Sequence, residues 1–314
     1  MELLMSRKII IALNALLLLA CERYTAQDVN RVEQLKEKRK LYCELSKDFY
    51  LKNKFVNNKC DGLLWTALHG IGCDYITSLD DFKNEENRWF RSPTHDCFKN
   101  GSDSSISKDM FAGLILYSLY YDRKDYIQSI VDYGEKHNWI MGEAIDTPTL
   151  ISKCILPPST ILLLYHYLGK IKFKLNSDYE IEDEDVSGIA INVGYGAHLD
   201  MLRILRKYLV YKSIGAWDMY VLEEQAKRQP LNALYQAVYH MFKDGDMSLP
   251  QKLLLSDKYF PNDRLPTSNE YCTWYLYQRD AETDDWLPCP HEGHTHSGTD
   301  FIFAATVTLG ELKK

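Results

Sequence analysis

The sequence carries few of the marks of a β protein. Its 314 residues include 16 Gly and 10 Pro, hairpin turn signals are scarce, and runs alternating apolar with polar are rare. That argues against a sandwich or barrel. No two cysteines stand in CxxC spacing, so neither a zinc ribbon nor a thioredoxin-like site has support. No stretch repeats at a fixed period, as a helical solenoid would. A basic patch is also missing. The formal net charge is −7, and a chain without a cationic surface cannot release counterions from a nucleic acid, which excludes that partner.

What is present starts with an export pattern. Arg7 and Lys8 precede the apolar run "IIIALNALLLLA", shorter than the roughly 20 residues that span a bilayer. The run ends in "LLAC", which resembles the lipobox of bacterial lipoproteins. The resemblance implies that residues 1–20 are a signal, that Cys21 is lipidated, and that the membrane is reached only through that lipid anchor. A plain secretory signal cut before Asp28 and an uncleaved anchor are the other readings. The mature remainder, 28–314, reads as one domain.

Eight cysteines, at positions 21, 43, 60, 73, 97, 154, 272 and 289, fit an oxidising compartment. Cys73 and Cys97 bracket one polar excursion and Cys272 and Cys289 another. Bridges across these loops would contribute around 3 kcal/mol each. Spacing does not fix connectivity, so both pairings are expectations.

Two textures alternate along the chain. "DGLLWTALHGIG" (61–72), "SKDMFAGLILYSLYY" (107–121), "PSTILLLYHYLG" (158–169), "PLNALYQAVYHMFKDG" (230–245) and "GTDFIFAATVTLGEL" (298–312) are apolar nearly all round. Residues 28–57, 124–139, 196–212, 217–229 and 248–260 are amphipathic. Helices of the first kind need cover on every side and those of the second need one apolar partner. The pattern predicts an all-α fold, an (α/α) toroid with apolar inner helices wrapped by amphipathic outer ones. Pro230 suits a first helical turn. The polar excursions 73–106, 170–192, 257–268 and 281–297 are expected to be loops, mostly at one rim.

"DGLLWTALHGIG", "RWFRSP", "SKDMFAGLILY", "HNWIMGEA", "QPLNALYQAVYH" and "HSGTDFIFAA" resemble the hairpins of six-hairpin (α/α) toroid glycosidases and related polysaccharide lyases. The likeness covers most of residues 58–310. It implies that fold and a lean toward carbohydrate chemistry, although a fold alone does not establish function.

In a toroid the inner helices open on a common funnel, and the polar residues that start them here are Asp61, Asp109, Asn232 and Asp300. Each also suits an ordinary helix cap. Asp109 follows Ser107, and Asp300 follows Ser297 and Thr299, hydroxyls able to cap in their place. Glycoside hydrolysis needs a carboxylic acid and an opposing carboxylate. Asp109 and Asp300 are the expected catalytic pair, with Asp96 and Glu143 in reserve. Trp89, Arg91, His95, Ser107, Asp61, Trp139, Asn232, Trp274, Arg279 and His296 are expected to hold substrate through flat faces and polar forks. Trp286 is a further aromatic candidate.

A Tyr/His lyase mechanism stays open among 22 Tyr. "CPHEGHTHSGTD" (289–300) gathers His and acidic residues without HExxH spacing, and "YEIEDEDVSG" (179–188) lacks the spacing of a calcium loop. No metal and no cofactor is expected. Three functions compete: an exported glycoside hydrolase, a non-catalytic lipoprotein holding a saccharide or cell-envelope polymer, and a structural envelope factor.

Overall fold

The apolar stretches do fold as helices. A computed structural model describes residues 26–56, 59–95, 97, 106–147, 150–171, 195–257, 260, 262 and 298–313. Along these residues run α1 (Ala26–Asn53), α2 (Gly62–Gly70), α3 (Lys108–Tyr120), α4 (Lys124–Lys136), β1 (Ile140–Thr147), β2 (Leu150–Ile155), α5 (Pro158–Tyr167), α6 (Tyr195–Tyr211), α7 (Ala216–Arg228), α8 (Ala233–Lys243), α9 (Ser248–Leu255) and α10 (Thr299–Thr308). The protein is mostly helical, as the composition predicts.

Burial follows texture at most of these elements. Every residue of α2 and of α10 is buried, as is α3 from Asp109 to Leu119. In α4 the apolar stripe Tyr126, Ile127, Ile130, Val131 and Tyr133 is buried while its charged positions face water. α2 packs on α3, α3 on α6, and α7 on both α6 and α8. α8 in turn packs on α10, and α10 on α2, while α1 lies against α9 and α10. At Gly113 a methyl group would sit 3.0 Å from the Leu64 carbonyl oxygen. There α2 and α3 touch backbone to backbone, a contact only glycine permits.

Two elements reverse the expected order. The apolar stretch at 158–169 becomes α5, where only Thr160 and Leu164 are buried. The amphipathic stretch at 196–212 becomes α6, which packs on α3 and buries Ala197, Met201, Leu202, Ile204 and Leu205. Charged residues on α6 escape water by pairing. Asp218 of α7, 1% exposed, meets Lys207 Nζ at 2.7 Å and Arg203 Nη1 at 3.1 Å. Pro230 also falls outside its expected place, because α8 starts after an Asn232 cap.

A further correction concerns strands. β1 and β2 form an antiparallel hairpin with Glu143 opposite Lys153 and Thr147 opposite Leu150. Ile140, Ile145, Thr147 and Ile151 suit strands, but Gly142 and Asp146 interrupt the pattern that would have revealed them.

The disulfides are also paired differently. Cys73 is bridged to Cys43 and Cys97 to Cys60, with Cα–Cα separations of 5.6 and 5.1 Å; the Cys73–Cys97 bridge expected from spacing does not form. Cys43 lies on the buried face of α1, against the turn that ends α2, and Cys60 stands just before α2. The loops overlap in sequence and span 30 and 37 residues, each stabilising the fold by about 4 kcal/mol in the chain-entropy account. Such bridges are the signature of an oxidising, exported environment. Cys272 and Cys289 lie outside the described residues, as does Cys21. Among the described residues no helix is long and apolar enough to cross a membrane.

Candidate functional site

The starts of α2 and α3 lie side by side, and Arg91 joins them. Its Nη1 lies 3.6 Å from Asp61 Oδ1, immediately before α2, and its Nη2 donates to Ser107 Oγ at 2.9 Å, immediately before α3. The Arg91 backbone takes part too, its carbonyl accepting from Leu63 N at 3.0 Å. Gly113 touches Leu64, and Tyr117 touches Gly70, so the two helices run parallel. Asp109 precedes Gly113 by one turn on the same stripe of α3, and Asp61 precedes Leu64 by nearly one turn of α2. That geometry carries Asp109 and Asp61 to the same end of the helix pair.

Asp109 differs from the other buried carboxylates. Asp61, Asp200, Asp218 and Asp300 each have a polar partner: Arg91, Gln225, Lys207 and the Phe301 amide respectively. Asp109 is 8% exposed and makes no hydrogen bond or ion pair with any described residue. Ser107 occupies the N-cap position in extended conformation, but its hydroxyl serves Arg91 rather than the α3 amides. The expected side-chain cap by Ser107 is therefore not made. Burying a charge costs several kcal/mol unless something pairs with it. The helix N-terminus offsets only part of that.

Sequence reasoning misses the contribution of α6. His198, fully buried, stacks on Trp65 at 6.0 Å between ring centroids. Trp65 is one turn below Asp61 on the same stripe of α2, so α6 also begins at this end. Burial pushes His198 down to about 3, leaving it neutral at ordinary pH. Asp200, 3% exposed, accepts from Gln225 Nε2 at 3.5 Å and lies near Tyr235 of α8, whose hydroxyl is pushed up by burial and then by Asp200. A signal does exist in the sequence: His198 shares a helical stripe with Leu202 and Leu205.

Asp300 belongs elsewhere. Its neighbour Thr299 bonds His69 Nδ1 at 3.0 Å, in the last turn of α2. His69 Nε2 meets Ser46 Oγ at 2.9 Å and Tyr75 OH at 2.7 Å. From Asp61 to His69 α2 rises about 12 Å, so Asp300 starts its helix beside the opposite end of α2 from Asp61 and Asp109. The linked Ser46, His69 and Tyr75 superficially offer nucleophile, base and acid. Yet Ser46 is 1% exposed and His69 fully buried, with both ring nitrogens engaged. Burial pushes His69 down to about 3 and the Tyr75 hydroxyl well up. This knot ties α1, α2 and α10 together.

Several of the residues expected to contact sugar are engaged within the fold. Trp89 is 1% exposed, donates to Ser129 Oγ at 2.9 Å and packs edge-on against Tyr126 of α4. Trp139 covers Gly134 at the end of α4 and meets Tyr165 edge-on. Asn232 caps α8, accepting from Tyr235 N at 3.4 Å and donating to Gln229 Oε1 at 3.0 Å. His95 stacks on Phe90 with centroids 3.8 Å apart, close to the Arg91 segment. Glu143 belongs to β1, its side chain outside the described set; Asp96, Trp274, Arg279, Trp286 and His296 also lie outside it. Among the described residues no three His, Cys, Asp or Glu side chains gather as a metal site. No family model, curated protein or solved structure matches the chain.

Proposed function

We propose that the protein is an exported, glycan-active enzyme, a glycoside hydrolase, whose working carboxylate is Asp109. The observation that carries this reading is the buried Asp109 carboxylate, left without a partner among the described residues where every other buried aspartate has one. A buried carboxylate without a partner carries a desolvation cost that a bound ligand relieves. A sugar hydroxyl or a glycosidic oxygen awaiting a proton supplies the missing contact. In this reading Asp109 hands a proton to the departing oxygen, and a second carboxylate meets the opposite face of the sugar as base or nucleophile. Asp61, ion-paired to Arg91 at the same end, takes that second role in place of Asp300. Arg91 and Ser107 then fix the spacing of the two acids by holding the helix starts.

The (α/α) toroid belongs to the same proposal. Its support is the run of helix contacts from α3 through α2, α10 and α8 to α7 and α6, which returns to α3. Lipidation at Cys21 and attachment to the cell envelope complete it, with the oxidising environment as support.

One observation favours the non-catalytic alternative, a lipoprotein that holds a saccharide or envelope polymer. Asp61 is already neutralised by Arg91, which leaves Asp109 as the single unpaired acid at this end among the described residues. A panel of glycans offered to the wild type and to Asp109→Asn, read for both binding and new reducing ends, separates the two. Turnover lost with binding kept marks the enzyme. Binding without turnover in the wild type marks the alternative, and full turnover by Asp109→Asn removes the assignment.

A further inference from the structure

The two disulfides are not equivalent. Cys43–Cys73 is enclosed, with Cys43 9% and Cys73 2% exposed, and lies beside the His69 knot. Both cysteines of Cys60–Cys97 are partly exposed, and this bridge adjoins the candidate site directly. Cys60 precedes Asp61, and Cys97 is six residues beyond Arg91. Between the two strands of chain run the Leu63 N to Arg91 O hydrogen bond and the Arg91–Asp61 ion pair. Arg91 also reaches across to Ser107, where α3 begins. The covalent bond thus fastens the segment that aligns Asp61 with the start of α3. A backbone hydrogen bond and a part-buried ion pair also hold the segment to the start of α2.

We infer that Cys60–Cys97 is a redox latch on this site, so that opening it weakens saccharide binding while the helical fold stays intact. The inference rests on the proposed function for its ligand, though not for its mechanical content. The chemistry is thiol–disulfide exchange with a dithiol, either a small molecule or a thioredoxin-type protein. One thiolate of the dithiol attacks a bridge sulfur and the other then resolves the mixed disulfide. Cys60 and Cys97 emerge as two thiols, and the dithiol departs as its own disulfide. Two electrons and two protons pass from reductant to protein. Exposure governs which bridge is reached, because the attacking thiolate must contact a sulfur atom.

The test titrates the intact mature protein with dithiothreitol under native conditions. Alkylation and peptide mapping identify which bridge opens, and three quantities are followed: saccharide affinity, helical circular dichroism, and hydrogen exchange at the Leu63 amide. Cys60–Cys97 should open at lower reductant than Cys43–Cys73. Leu63 exchange should then quicken by about 10-fold or more, because its acceptor sits on the released segment. Affinity should fall by a similar factor with dichroism unchanged, and reoxidation should restore it. A Cys60→Ser/Cys97→Ser variant should show the weakened state from the outset and ignore reductant. First opening of Cys43–Cys73, or unchanged Leu63 exchange and affinity once Cys60–Cys97 is open, overturns the latch. If the oxidised protein binds no saccharide, the proposed function fails instead, and Leu63 exchange still decides the latch.

Discussion

The two ends of α2 handle buried polarity in opposite ways. At the last turn His69, Ser46, Tyr75 and Thr299 satisfy one another, and the neutral ring has both nitrogens engaged. At the first turn Arg91 satisfies Asp61 and Ser107 but leaves Asp109, a turn away, with no described partner. A complete network is what a fold uses to fix geometry. An incomplete one at the convergence of helix starts is what a ligand can complete. Under the proposed function the completeness of the network, rather than residue type, marks the site, since by type His69 and Tyr75 look more catalytic than a lone aspartate.

The largest test of that contrast is Asp109→Asn. Turnover of whichever glycan is accepted should drop by about 10³-fold, within the range for loss of a general acid, while the melting temperature stays constant or rises. At the other end His69→Leu should do the reverse. It removes the ring that bonds Ser46, Tyr75 and Thr299, so chemical denaturation should show a loss of about 2–3 kcal/mol with kcat preserved. A large loss of turnover in that variant, at a temperature where it stays folded, would break the distinction between the ends.

Acid should reach a buried histidine at each end. His69 and His198 lie at about 3 in the folded protein, against an ordinary value near 6.5. Between those limits the unfolded chain binds more protons, so this part of the stability is complete above about pH 6.5 and is lost as pH falls toward 3. Denaturant midpoints measured from pH 7 to pH 4 should fall, and the slope in His69→Leu should be shallower by about one proton. The smallest expected effect is that of Ser107→Ala. Losing the Arg91 bond should cost about 1 kcal/mol or less, with a modest rise in KM and a melting curve close to that of the wild type.

Much of this architecture is legible in the sequence alone. α2, α3, α8 and α10 follow from apolar runs bounded by Asp, Ser, Asn and Gly, and α1, α4, α7 and α9 from amphipathic periodicity; Asp61, Arg91, Ser107 and Asp109 all stand out there as candidates. Their convergence is not legible, since it depends on Gly113 meeting Leu64 across 49 residues. The places of α5 and α6 escape the pattern because burial depends on what covers a helix. Arg203 and Lys207 read as solvent-facing until Asp218 is seen opposite them. Disulfide pairing escapes it for a related reason, since spacing favours nearest neighbours over Cys43, which reaches Cys73 from α1. Asp300 shows the limit of texture: it opens a fully buried helix, but that helix begins alongside the end of α2 rather than its start.

The hydrogen that Gly113 carries in place of a methyl has a consequence for the spacing of the two helix starts. Gly113 itself puts no side chain between its backbone and that of Leu64, and a single added carbon would act as a shim. Alanine there should push the helix openings apart and be felt one turn upstream, at Asp109. The spacing of the two helix starts is therefore adjustable from a position one turn inside α3.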